Sequence, residues 1–271
     1  MTAFESATAL TPEATVADGA TFTWDVPDGW QQGRGAWGGL VVGAVVGAVT
    51  LTEPDDGRRA RTLSVQISRP AMVGPHHVRV RAARIGSRVS TWEVAVTDAD
   101  DAVVADATVI AGRARPGAAD RDEVSWGPVP PPDVAPAAEV PVLTTGPPFP
   151  VFTQHCTFGV VDGMPMQGER AETLGWIGYR EPPPWTEASV LALADAWYPV
   201  GLVPLREFVP MGTVNFTANL VIDPASLVPG DPLVHHAVAG ATHDGYASEL
   251  RRLWTAGGRL AVENLQTIVI G

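Results

Sequence analysis

The chain reads as one unit written twice. Arg61-Thr62-Leu63-Ser64-Val65-Gln66-Ile67-Ser68 alternates polar and apolar side chains and runs into Pro70, Gly74 and His76-His77. Thr213-Val214-Asn215-Phe216-Thr217-Ala218-Asn219-Leu220 alternates likewise and runs into Pro224, Pro229-Gly230 and His235-His236. Such alternation places every second side chain on one face, the pattern of a half-buried strand. Each copy then has a short polar turn (Gly86-Ser87-Arg88; His243-Asp244-Gly245) and two further strands. The closing strands end alike, in Thr108-Val109-Ile110-Ala111-Gly112 and Thr267-Ile268-Val269-Ile270-Gly271. A repeat of roughly a hundred residues is too long for a solenoid and fits a small domain fused to its own copy. Duplication lets one copy lose what the other keeps.

Between and around the repeats the elements follow from local chemistry. Residues 1–20 read as a loose lead-in, and Thr21-Phe22-Thr23-Trp24-Asp25-Val26 as a first strand. A Gly-rich entry opens a helix of small residues over 39–50. Its Gly43 and Gly47 cost roughly 1 kcal/mol each against alanine, which makes sense where something packs closely. Strands are predicted at 61–69, 76–84, 88–98 and 102–111. Residues 113–150, with Gly127-Pro128-Val129-Pro130-Pro131-Pro132-Asp133 and Gly146-Pro147-Pro148, read as a Pro-rich, semi-rigid linker. The second copy, 151–271, has strands near 152–160 and 172–179 and a helix over 187–197 that Thr186 can cap. Its last strands lie near 212–221, 233–241, 245–255 and 259–270. Strand, helix, then antiparallel strands is α+β, with units at 1–112 and 151–271.

Composition narrows the function classes. The 271 residues carry a net charge of −12 and no lysine, so every basic side chain but histidine is arginine. An acidic chain without a basic run is a poor nucleic-acid binder. Scattered arginines still suit a small phosphorylated ligand. The single cysteine, Cys156, excludes an internal disulfide and fits a reducing compartment. The start Met1-Thr2-Ala3-Phe4-Glu5 lacks a secretion signal, and the apolar run from Leu40 to Leu51 is too short to span a bilayer. The expectation is a soluble cytoplasmic protein, free or as a homo-oligomer, without membrane or nucleic-acid partners.

The two helices differ in one informative way. Copy one reads Trp37-Gly38-Gly39-Leu40-Val41-Val42-Gly43-Ala44-Val45-Val46, and copy two Glu187-Ala188-Ser189-Val190-Leu191-Ala192-Leu193-Ala194-Asp195. With Gly39 matched to Ala188, Asp195 falls where copy one has Val46. The first helix therefore has a Gly-Gly entry without an acid, and the second an acid without that entry. This motif resembles the His-Gly-Gly-x-x-x-x-Leu-Ala-Asp pattern of hotdog-fold thioesterases. Over residues 20–271 the ordering resembles the double-hotdog acyl-CoA thioesterases of the type II family.

The resemblance implies two fused hotdog units, each a curved antiparallel sheet wrapped around a central helix, with the two sheets pairing edge to edge. It further implies a water held by Asp195, Thr213 and Gln266; aligning the copies puts Val46, Thr62 and, with the two strand ends matched without gaps, Ala107 at the corresponding places in copy one. Trp37 stands where that family often has histidine. The implied reaction is hydrolysis of fatty acyl-CoA to free acid and CoA, within fatty acid metabolism and with the acyl chain between the two helices. No cofactor and no metal are expected. Hydrolysis of a thioester needs a positioned water, a base and donors for the developing oxyanion. Asp195 would be the base, and backbone N–H groups at Gly38 and Gly39 the oxyanion donors at a helix N-terminus.

Other readings are weaker. A hydratase or dehydratase of acyl thioesters would want a helix His–Asp pair, and neither helix contains histidine. A non-catalytic acyl-CoA-binding protein is the remaining alternative. By spacing alone Thr213 belongs to a polar face with Asn215, Thr217 and Asn219. Gln266 is more pointed, since it interrupts an apolar strand and a buried Gln must find partners. His155-Cys156, His76-His77 and His235-His236 are strand neighbours pointing to opposite faces, which disfavours nucleophile or chelating pairs.

Overall fold

The computed structural model describes residues 1–115 and 134–271. The run 127–133, expected as linker, lies outside the described residues. In chain order the elements are α1 (Ala3–Ala7), β1 (Leu10–Val16), β2 (Gly19–Val26), β3 (Gln31–Gln32), β4 (Gly35–Ala36), α2 (Gly38–Thr52), β5 (Arg58–Ile67), β6 (Gly74–Ile85), β7 (Val89–Asp98) and β8 (Val103–Arg113). They continue with β9 (Cys156–Asp162), β10 (Glu172–Tyr179), α3 (Glu187–Leu193), β11 (Met211–Leu220), β12 (Leu233–His243), β13 (Tyr246–Trp254) and β14 (Leu260–Ile270).

Twelve strands form one antiparallel sheet in the order β1-β2-β6-β7-β8-β5-β11-β14-β13-β12-β10-β9. The order β2-β6-β7-β8-β5 is repeated as β10-β12-β13-β14-β11, and the two halves meet where β5 pairs with β11, Ser64 opposite Thr217. Joining these edges removes one exposed row of backbone donors and acceptors from each half. The helices α2 and α3 pack on each other inside the sheet. α2 is apolar all round, as a fully enclosed helix must be, and buries every residue from Gly39 to Val46.

Four sequence expectations change. The first twenty residues are not a loose lead-in. Thr2 and Glu5 form a capping box for α1, Phe4 and Ala7 are buried, and Trp24 Nε1 donates to the Ala7 carbonyl at 2.9 Å. This explains Gly43, since a Cβ there would sit 2.9 Å from the Phe4 ring. Gly47 has no such reason; its nearest neighbour would be Leu10 at 3.8 Å. Residues Val151–His155 form a 3-10 turn, and the strand begins at Cys156. The second helix stops at Leu193 rather than running to 197, because Asp195 and Ala196 bond to Ala192 and Leu193 in tighter turns. Finally, the end of the Pro-rich segment is anchored: Trp176 Nε1 donates to the Ala135 carbonyl at 2.9 Å, and Val142 bridges to Gly159. Among the described residues no helix is long and apolar enough to cross a membrane.

Candidate active site

Three elements bring Asp195, Gln266 and Thr213 into one hydrogen-bonded chain. Thr213 Oγ1 donates to Gln266 Oε1 at 2.8 Å, and Gln266 Nε2 donates to Asp195 Oδ1 at 2.9 Å. Gln266 Nε2 also donates to Asn264 Oδ1 at 3.0 Å, which uses both of its hydrogens. Gln266 is fully buried on the inner face of β14, and Asp195 is 5% exposed.

Thr213 reaches this network through a β-bulge. Along β11 the inner face carries Phe216, Ala218 and Leu220, so strict alternation would put Thr213 outside with Asn215 and Thr217. The register between β11 and β14 shifts between Thr213 and Asn215. That extra residue flips what precedes it, and Thr213 pairs with buried Ile268 on the inner face.

The electrostatics suit a base. Burial pushes the Asp195 carboxyl up from 3.8 to about 6, opposed by the charge of Arg251, the Gln266 hydrogen bond and the Gly39 amide, with Glu249 adding to the rise. At the C-terminus of its own helix the carboxylate meets the unfavourable end of the dipole. It sits instead at the N-terminus of α2, whose Trp37 N-cap supplies no side-chain cap. The Gly39 N–H faces the Asp195 carboxylate without closing a well-formed hydrogen bond. Of the two glycines expected as oxyanion donors, Gly39 therefore turns its amide toward the base, while Gly38 remains on the cleft wall.

Gly38 is required for room. A Cβ there would lie 2.7 Å from Asp195 Oδ2. Gly38→Ala is expected to push the carboxylate off its partners and lower turnover by about 10²-fold, with stability little changed because alanine recovers roughly 1 kcal/mol of helix propensity. Steady-state kinetics beside a melting curve checks this.

Trp37, in the place where histidine was expected, does have a polar role. Its Nε1 donates to the Asp195 carbonyl at 3.2 Å, and its ring stacks on Phe152 at 5.0 Å. It holds the backbone of the acid rather than its carboxylate. Sequence reasoning also missed Asn264, Glu249 and Arg251. Glu249 lies opposite Gln266, and Arg251 opposite Asn264, on the inner faces of β13 and β14. For Asn264 the signal available was its two-residue spacing from Gln266 on the same strand face. Of the histidine and cysteine neighbours, His155 stacks on Trp30 at 3.9 Å, and burial pushes the Cys156 thiol up to about 12. His76 and His235 are buried.

The first half holds no copy of this network. Both helices align by their N-caps, Trp37 and Thr186, so Val46 matches Asp195. Each half has a bulge at the same place, between Ala60 and Thr62 and between Thr213 and Asn215. Counting from it, Thr213 corresponds to Ala60 and not Thr62. Gln266, opposite Phe216, corresponds to Val109, opposite Leu63, and not to Ala107. Gapless matching of Thr108–Gly112 with Thr267–Gly271 sets Ala107 against Gln266, two residues from the position that strand pairing selects. Val46, Ala60 and Val109 are all buried apolar residues.

A cleft of about 410 Å³ opens between the halves onto Asp195, Thr213, Gly38 and Arg251. Arg34 and Arg69 stand on its rim. Arg34 sits at the tip of the β3–β4 hairpin, where Gly33 takes φ +71°, as tight hairpin turns require. The hairpin is pinned by Ala36 N–H donating to the Ala71 carbonyl at 2.7 Å. Neither arginine has a side-chain partner among the described residues.

A duplicated sheet around two helices, with one polar network at their junction, defines a double-hotdog protein. Residues 26–112 match the model of the acyl-CoA thioesterase N-terminal domain and residues 129–270 that of the C-terminal domain, so the chain belongs to the acyl-CoA thioesterase family. A hot dog-fold protein of unknown function from Alicyclobacillus acidocaldarius is 25% identical, with a TM-score of 0.87 over 99% of this chain and 98% of its own. A candidate thioesterase II from Thermobifida fusca YX is 21% identical, with a TM-score of 0.83 over 100% and 98%. An acyl-CoA thioesterase II from Mycobacterium marinum is 16% identical, with a TM-score of 0.76 over 99% and 98%. No curated protein matches the chain.

Proposed function

We propose that the protein hydrolyses fatty acyl-CoA by direct attack of water, with Asp195 as general base and one centre per chain. The observation that carries this is the Thr213–Gln266–Asp195 chain, which ends in a buried carboxylate beside an open cleft. The donors of Thr213 and Gln266 are spent within the network, so its groups toward the cleft are acceptors: Asp195 Oδ2 and the Thr213 lone pairs. A water there gives both hydrogens to the protein and keeps a lone pair for the carbonyl carbon. The proton passes to Asp195, the C–S bond breaks, and the departing thiolate takes that proton. Gly38 N–H faces the oxyanion. In this reading residues 1–112 and 151–271 are the two units and 113–150 joins them, as the repeated strand order supports.

The acyl chain lies along Val41, Ile67 and Met211, and the CoA phosphates meet Arg34 and Arg69. Release of CoA thiol from a series of acyl-CoA chain lengths tests the reading; saturable binding without release would make the protein a binder. Arg34→Ala and Arg69→Ala are each expected to raise KM for acyl-CoA about tenfold, since one charge-assisted contact is worth about that. A truncated thioester lacking the nucleotide should show no such change.

A further inference from the structure

The buried ion pair behind Asp195 is not used by the chemistry above. Arg251 is 2% exposed and Glu249 is fully buried, yet the arginine lines the same cleft as the carboxylate. Guanidinium carries five N–H donors in a rigid fork. Three are engaged: Nε and Nη2 on Glu249 Oε2 at 3.1 and 2.7 Å, and Nη1 on the Trp197 carbonyl at 3.0 Å. Two remain, one on each terminal nitrogen. The head cannot swing, because two acceptors from different segments hold it.

The ion pair of Arg251 is with Glu249 and not with Asp195. Base and cation thus line one cleft with no ion pair between them. Backbone donors alone fall short, because Gly39 faces its amide to Asp195 and only Gly38 remains. We infer that Arg251 is a catalytic residue, the second oxyanion donor, whose free N–H binds the thioester carbonyl oxygen as water adds.

The inference rests on the hydrolytic reading, and its chemistry follows. Water oxygen bonds to the carbonyl carbon while Asp195 takes a water proton. The carbonyl π electrons move onto oxygen, where Arg251 and Gly38 donate hydrogen bonds. Collapse restores the double bond and expels the thiolate, which is protonated from Asp195. A donor already held in place by Glu249 and the Trp197 carbonyl requires little reorganisation as the charge develops.

Removing Arg251 alone would strand a buried carboxylate, so the test uses Glu249→Gln/Arg251→Met, with Arg251→Lys beside it. Loss of an oxyanion donor should lower kcat about 10²–10³-fold in the double variant, with KM within about threefold of wild type and an unchanged fold. Arg251→Lys should fall between the two, since it keeps the charge but not the fork. A folded double variant with near-wild-type kcat overturns the assignment while leaving the hydrolytic reading intact. Unfolding of both variants assigns the guanidinium to the fold and also overturns it. A wild type inactive on every acyl-CoA sinks both readings.

Discussion

Asp195→Asn is expected to lower acyl-CoA hydrolysis about 10²–10⁴-fold, the usual contribution of a general base, while the protein stays folded. The amide can present its oxygen to only one side. It therefore keeps Gln266 Nε2 or the Gly39 amide as donor, but not both. The wild-type rate should fall as pH drops through about 6, where the carboxylate takes up its proton.

Stability follows the same group with the opposite sense from most aspartates. The folded state raises its pKa from 3.8 to about 6, so the folded protein binds this proton more tightly than the unfolded chain. Between these values stability falls as pH rises, and by pH 7 the ionised group costs about 3 kcal/mol. The asparagine variant lacks that term. Its melting temperature relative to wild type should therefore rise from pH 4 to pH 7, which paired thermal scans would read. A variant that kept most wild-type turnover would end the water-activation reading.

Gly39→Val is expected to destabilise the fold by about 4 kcal/mol or more, the range of severe core clashes. Helix propensity alone favours valine over glycine at this position, but the obstacle is space rather than backbone strain. A Cβ at Gly39 would lie 2.2 Å from the Trp37 ring and 2.5 Å from the Ala192 carbonyl. The indole cannot retreat, since it is fully buried, stacked on Phe152 and bonded to the Asp195 carbonyl. Gly39 marks a close approach of α2 to α3. Soluble yield and melting temperature are the measurements; a variant melting within a few degrees of wild type would refute the packing argument.

Local periodicity was enough to read the duplication, the strands of each copy and the acid on the second helix. These rest on interactions between residues close in sequence, or on one face being apolar, and both leave a pattern in the chain. Gln266 was legible for the same reason, as a polar residue inside an apolar inner face. What lay beyond the sequence depended on register and on contacts between distant segments. Alternation assigned Thr213 to the solvent face, and only the pairing of β11 with β14 reveals the bulge that turns it inward. Thr62 and Ala107 were matched to the network by counting, whereas strand pairing selects Ala60 and Val109. The burial of Glu249 and Arg251 could not be read from Glu249-Leu250-Arg251-Arg252, where charges fall on both faces. Tertiary structure alone brings the C-terminal end of α3 to the N-terminal end of α2. There Asp195 exchanges the unfavourable pole of its own helix for the favourable pole of another.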